Sequence, residues 1–279
     1  MSMIQLHVYE DVLRFKEDVT SFLGENEQGN NLILGVLQVV QEPIFMGVAK
    51  QGEDIAGVFL QTEEKIQMIV ATSEISEEDI AELAKELTKV YPDIPGFIGN
   101  KKVIQKLAEE IAILERKKTT LGMEQGVYEL KRVKKKWSGD GIFRAVNSDE
   151  LPLIEQWIHQ FCEDVKLPTT KEEAKQTAYT LITTNRLFGL EVGGKLVSVA
   201  AKTRPTTNNI TVNFVYTPKE ERKKGYASIC VAELSQRMLD EGYKTTTLYT
   251  DLANPTSNKI YQEIGYEKIM ESVLIFLEK

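Results

Sequence analysis

The sequence predicts a duplicated α/β fold in which each half of the chain forms a mixed, mostly antiparallel central sheet flanked by helices on both faces. Three observations carry this. Short segments rich in β-branched and aromatic residues alternate with segments of helical period along the whole chain. The order of these elements is the same in both halves. A basic run ending in Ser138-Gly139-Asp140 separates the two series. Repetition of element order at this scale indicates duplication of one unit. It divides the chain into a domain of residues 1–136 and another of residues 137–279. With 279 residues in all, each is long enough to bury its own core.

In the first half, residues 3–9 alternate as a strand does, residues 11–23 repeat at helical spacing, and residues 31–41 are apolar. Strands at 44–49 and 55–61 flank the hairpin signal Lys50-Gln51-Gly52-Glu53-Asp54. A strand at 66–71 leads to a helix at 77–90, for which Ser76 is the expected N-cap. An apolar segment at 94–98, a helix at 101–114 and a strand at 127–133 complete the half.

The second half repeats this order. A strand at 142–146 precedes helices at 151–161 and 171–184. Strands at 187–192 and 196–202 enclose the turn pair Gly193-Gly194. A strand at 210–217, a helix from about Gly225, a strand at 245–250, a helix at 257–264 and a final strand at 272–277 follow.

Composition narrows the function. The chain is 42% hydrophobic and 27% charged, which excludes a disordered or collagen-like protein. Its net charge is −8, made of −12 over residues 1–100 and +4 over the rest. Neither nucleic acid nor an anionic membrane is an expected partner. The basic run Lys131–Lys136 reads as a solvated strand end and linker. Two cysteines, Cys162 and Cys230, make no disulfide framework, and no signal peptide or long apolar stretch is evident. A cytoplasmic protein is expected.

One segment carries chemistry. The strand at 210–217 stops at Thr217-Pro218, and a charged loop leads to Arg222-Lys223-Lys224-Gly225-Tyr226-Ala227-Ser228, which opens a helix. A basic, glycine-containing loop before a helix N-terminus suits a phosphate, because backbone N–H groups and the helix dipole point at it. Neither the Walker spacing nor the three-glycine dinucleotide fingerprint is present. Further on, the strand at 245–250 ends in Asp251-Leu252-Ala253-Asn254, and the following helix carries Ser257 and Tyr261 one turn apart before Gly265-Tyr266.

Together, Val215-Tyr216-Thr217-Pro218 with Arg222-x-x-Gly225-x-Ala227, and Asn254-x-x-Ser257-x-x-x-Tyr261-x-x-x-Gly265-Tyr266, resemble the GNAT superfamily of acyl-CoA-dependent N-acetyltransferases over roughly residues 141–279. The resemblance implies acetyl-CoA as acyl donor, an amine as acceptor and no metal. It implies a pyrophosphate held by the N–H groups of Lys223 to Ser228, and a pantetheine arm paired with the backbone of Val215, Tyr216 and Thr217. Asn254 and Ser257 would line that arm, and Tyr261 occupies the position of the general acid that protonates the departing thiolate. The competing role for Tyr261 is a buried aromatic whose hydroxyl bonds a backbone group.

The base is less defined. Residues 210–216 hold no carboxylate. Asp251 is the nearest acidic candidate and Glu191 another; His7, His159 and Cys230 are assigned no chemistry. In the first half, the segment Thr72-Ser73-Glu74-Ile75-Ser76-Glu77-Glu78-Asp79 has no glycine, no basic residue and four carboxylates, which disfavours a pyrophosphate. The first domain is therefore expected to be a degenerate copy. The alternative to an enzyme is a non-catalytic module that binds or senses acyl-CoA.

Overall fold

Helix starts follow local capping. Strand β1 (Ile4–Val8) runs to Asp11, whose carboxylate accepts the N–H groups of Leu13 and Arg14 at 2.8 and 3.2 Å and starts α1 (Val12–Gly24). The apolar stretch that follows is helix α2 (Asn31–Val39). Next come β2 (Phe45–Gln51), β3 (Asp54–Gln61), β4 (Met68–Thr72), α3 (Glu77–Val90), β5 (Gly96–Asn100), α4 (Lys101–Glu115) and β6 (Lys118–Leu130). The second series is β7 (Ile142–Ala145), α5 (Leu151–Asp164), α6 (Lys171–Thr183), β8 (Leu187–Val192), β9 (Lys195–Thr203), β10 (Asn209–Tyr216), α7 (Tyr226–Asp240), β11 (Thr245–Asp251), α8 (Pro255–Ile264) and β12 (Glu267–Glu278). These elements belong to a computed structural model that describes residues 4–134 and 141–279. The boundary expected at 136/137 lies outside the described residues.

The chain folds as two compact units. The first takes residues up to Tyr128 with Tyr249–Pro255 and Lys268–Lys279; the second takes Glu129–Leu248 with Thr256–Glu267. In the first unit the strand order is β1-β2-β3-β4-β5-β12-β6. Alternate residues of its strands serve two cores, as the period of a strand requires. Phe45, Ala49, Phe59, Met68 and Val70 pack with Leu83, Leu87, Leu107 and Ile111 of α3 and α4. Met46, Val48, Val58, Leu60 and Ala71 pack with Phe15, Val19, Ile33 and Leu37 of α1 and α2. Helices therefore cover both faces.

In the second unit the order is β7-β8-β9-β10, with β11 beyond β10. Val199, Ala201, Phe214 and Tyr216 pack with Ile154, Trp157, Ala178 and Leu181 of α5 and α6. Helix α7 buries Cys230, Val231, Leu234 and Met238. β4 pairs parallel with β5 in the first unit and β10 with β11 in the second, each pair joined by a helical crossover through α3 or α7. All other registered pairs are antiparallel. The duplicated α/β class read from the sequence is the class observed.

Two strands differ from the sequence reading. β6 begins at Lys118 rather than near residue 127, and β12 begins at Glu267 rather than near 272. Residues 118–122 and 267–269 are exposed, so no apolar alternation marks them. β12, the last strand of the second series, pairs antiparallel with β5, from Ser272↔Asn100 to Phe276↔Gly96, and belongs to the first unit. Gly96 permits that pairing: at φ 142°, a Cβ there would lie 2.1 Å from the Ile275 carbonyl oxygen. No described helix is long and apolar enough to cross a membrane.

Candidate active site

An irregularity in β10 shapes the site. Its parallel register with β11 runs from Asn209↔Thr245 to Val212↔Leu248. Immediately after, β10 bulges: it advances from Asn213 to Tyr216 while β9 passes only from Ala201 to Val199. Phe214 takes φ 44°, a strained value for a bulky side chain, and the Asn213 side chain accepts the Phe214 N–H at 2.8 Å. Such a bulge turns one residue of backbone out of the ladder, here beside Val215. In the first unit, β3 and β4 pair from Gly57↔Thr72 to Leu60↔Ile69 with no shift.

The strand end is anchored by its own side chains. Tyr216 is buried, stacks against Phe214, packs at a tilt against Trp157, and donates its hydroxyl to Gln160 Oε1 at 2.7 Å. Burial raises its pKa. Ser198 Oγ donates to the Tyr216 carbonyl at 3.2 Å and shares a 2.9 Å hydrogen bond with Thr217 Oγ1.

The loop then turns sharply. Lys219–Glu221 form a 3₁₀ turn, Lys223 and Gly225 have φ 66° and 83°, and α7 begins with Gly225 as N-cap. No side chain accepts the first N–H groups of α7, and the first intrahelical bond runs from Ile229 N–H to the Gly225 carbonyl at 3.2 Å. The N–H groups of Tyr226, Ala227 and Ser228 thus stand at the positive end of the helix dipole. A Cβ on Gly225 would meet nothing within 4 Å, so glycine is required there by its left-handed φ, and the space beside it is open to a large anion. Donors, dipole and open approach fit a pyrophosphate.

Helix α3, which follows β4 as α7 follows β10, starts differently. Ser76 Oγ accepts the Asp79 N–H at 3.1 Å, and Glu77, Glu78 and Asp79 fill the first turn.

The basic side chains of the loop divide in role. Lys224 pairs with Glu221 at 2.7 Å, which raises its pKa. Lys223 is exposed and, among the described residues, has no ion-pair partner. Arg222 Nε donates to the Thr217 carbonyl at 2.9 Å, its Nη2 lies 2.5 Å from Asp164 Oδ2, and its guanidinium sits 5.8 Å from the Tyr216 ring centre.

Tyr261 is buried at 9% exposure, with its ring edge-to-face with Tyr266 at 6.1 Å. Burial, reinforced by Tyr266, raises its pKa strongly. Its hydroxyl makes no hydrogen bond among the described residues, and that oxygen is not one of their fully buried unpaired atoms, so solvent can reach it. Asp251 is exposed and accepts the Ala253 N–H at 2.8 Å, while the Asn254 N–H donates to the Asp251 carbonyl at 3.0 Å. This turn leads into α8, where Ser257 is half-buried. The boundary between the units falls within this segment: Asp251 and Asn254 count with the first, Ser257 and Tyr261 with the second.

The remaining candidates have other employment. Glu191 bonds Arg144 Nε at 2.7 Å, and Arg144 also holds Glu150, so Glu191 is a structural carboxylate. His159 lies 3.5 Å from Glu163 on the same helix. His7 is exposed on β1. Cys230 is fully buried, and burial pushes its thiol up to about 12. Sequence reasoning missed Asp164, Gln160 and Ser198. Each meets the site only through folding, 18 to 58 residues from its partner, and no local pattern marks it.

Comparison with known proteins agrees with this geometry. Residues 194–275 match the family model described as FR47-like protein. No curated protein sequence matches the chain. Among solved structures, a GNAT-family acetyltransferase from Colwellia psychrerythraea is similar at TM-score 0.65 and 11% identity, over 99% of this chain and 100% of that one. A tandem GNAT protein from the clavulanic acid biosynthesis pathway gives TM-score 0.57 at 11% identity, over 98% of both chains. The fold is a tandem GNAT fold. A GCN5-related N-acetyltransferase from Sphaerobacter thermophilus, at TM-score 0.63, 10% identity and coverage of 99% and 95%, is similar in the same way. Within the GNAT fold, the FR47-like match spans β9 to β12, and so contains the β10 bulge, the Gly225 loop and Tyr261.

Proposed function

We propose that this protein transfers the acetyl group of acetyl-CoA to a primary amine, in a single direct step carried by the C-terminal half of the chain. The observation that carries the proposal is the N-terminus of α7, which follows the left-handed Gly225 with no side-chain cap, in the same unit as the Tyr261 ring, which is 9% exposed. When bound, acetyl-CoA supplies the activated thioester.

The chain's own groups do the rest. The N–H groups of Tyr226, Ala227 and Ser228 hold the pyrophosphate, with Lys223 as a nearby exposed cation. The bulged backbone at Val215 runs beside the pantetheine and presents an N–H to the thioester oxygen, which gains charge as the amine nitrogen adds. Asn254 and Ser257 line the same arm. As the new C–N bond forms and the C–S bond breaks, the amine gives a proton to Asp251 or to water. Tyr261 gives its proton to the departing sulfur and regains one from solvent. A strongly raised phenol pKa makes Tyr261 a weak acid, but burial raises the basicity of a sulfur beside it as well, which narrows the gap.

Incubation with acetyl-CoA and a panel of amines, with products resolved by mass, tests the proposal. An acetylated amine and free CoA in equal amounts support it. Tight binding of acetyl-CoA without turnover of any amine supports the sensing module instead.

A further inference from the structure

We infer that Arg222 serves the cofactor loop and not the phosphate, and that Asp164 is the positioning residue that holds it there. The inference rests on the proposed CoA site. Arg222 is the leading basic residue of the loop, yet two of its three guanidinium nitrogens are already engaged. Nε donates to the Thr217 carbonyl at 2.9 Å, which ties the start of the loop to its middle. Nη2 bonds Asp164, the last residue of α5, at 2.5 Å. The planar group lies near the Tyr216 ring, whose own hydroxyl is fixed to Gln160 of α5.

Arg222 therefore joins the end of β10, the end of α5 and the turn into α7. This suits its chemistry: a rigid fork of donors can bridge several fixed acceptors, which a lysine cannot. The backbone it steadies is the one with left-handed residues at Lys223 and Gly225. Their conformations aim the N–H groups that follow. Asp164 also lies 3.8 Å from Lys219.

Two opposite expectations follow for Asp164→Asn. If Arg222 and Lys219 act as phosphate cations, removing the carboxylate frees both charges, and CoA binds more tightly. If Arg222 acts as a clamp, the same change loosens the loop, and CoA binds more weakly by about three- to tenfold, as expected for a partly exposed charge-assisted contact.

The test uses the full-length protein, with CoA as the probe in calorimetry and amide hydrogen exchange read over residues 217–228 without ligand. For Asp164→Asn the inference expects weaker CoA binding and faster exchange in the loop, with an unchanged melting temperature. Arg222→Ala should give the same pattern, and the double variant should be no worse than Arg222→Ala alone. Asp164→Glu should restore part of the affinity. Tighter CoA binding by Asp164→Asn, or unchanged loop exchange, overturns the inference. Failure of the parent protein to bind CoA counts against the proposed function alone, because the exchange measurement still decides the clamp.

Discussion

Tyr261 and Tyr266 meet edge-to-face with ring centres 6.1 Å apart, and only the second has its hydroxyl satisfied. Ser235 Oγ donates its single proton to the Val231 carbonyl at 2.7 Å, so Tyr266 donates to Ser235 and accepts from Thr246, each at 2.8 Å. Two tyrosines five residues apart are therefore held differently: Tyr266 locks α7 to β11, and the Tyr261 hydroxyl has no hydrogen-bond partner among the described residues.

Removing each hydroxyl should show the difference. Tyr261→Phe loses no hydrogen bond, so its stability should change by less than about 0.5 kcal/mol. Its kcat should fall roughly 10²- to 10⁴-fold with little change in acetyl-CoA affinity. Tyr266→Phe leaves the buried Thr246 hydroxyl without its acceptor and should lose about 1–3 kcal/mol. Thermal melts and steady-state kinetics on the same preparations check both. Near-parental turnover by Tyr261→Phe, with chemistry limiting the rate, removes it from the mechanism.

Alkaline pH should destabilise the fold through the same pair. Burial pushes Tyr266 up to about 12 and Tyr261 higher still, so the folded state retains phenolic protons that the unfolded chain releases near pH 10. Their contribution is complete below pH 10 and is lost as pH rises toward 12 and beyond. Denaturant titrations between pH 8 and 12 should show stability falling from about pH 10. In Tyr266→Phe that fall should be shallower.

The Gly225 loop makes a graded prediction. With φ 83° and open space around it, Gly225→Ala should fold and lose about 1 kcal/mol from backbone strain. Gly225→Glu adds a carboxylate where the pyrophosphate approaches and should abolish measurable CoA binding. Calorimetry that finds parental affinity for the glutamate variant rejects the loop as the anion site.

Each chain should bind one CoA. The N-terminus of α3 is already capped by Ser76 and lined by three carboxylates, whereas that of α7 has no side-chain cap. Ser76→Ala should cost about 1 kcal/mol of stability and leave CoA binding unchanged. A stoichiometry of two per chain refutes this assignment.

Cys230 should resist alkylation in the native protein at pH 8. Burial holds its thiol up to about 12, so almost no thiolate is present and no reagent has access. Mass spectrometry after iodoacetamide treatment should find it modified only after unfolding.

Local chemistry was legible in the sequence wherever a few adjacent residues set the outcome. Ser76 with its acidic first turn defined α3 at 77–90, and Gly193-Gly194 between two β-branched runs defined β8 at 187–192. Gly225 before the small residues of α7 marked the start of that helix, because a left-handed glycine at a helix start is a property of neighbours in the chain. The tertiary structure alone decided the rest. It put β12 beside β5, gave Arg222 to Asp164 across 58 residues, and buried the Tyr216 ring in the core under α5. The period of an element and the identity of its cap are written within one or two turns of chain, but a partner is selected by which faces must be buried together, and that is settled only when the whole unit packs.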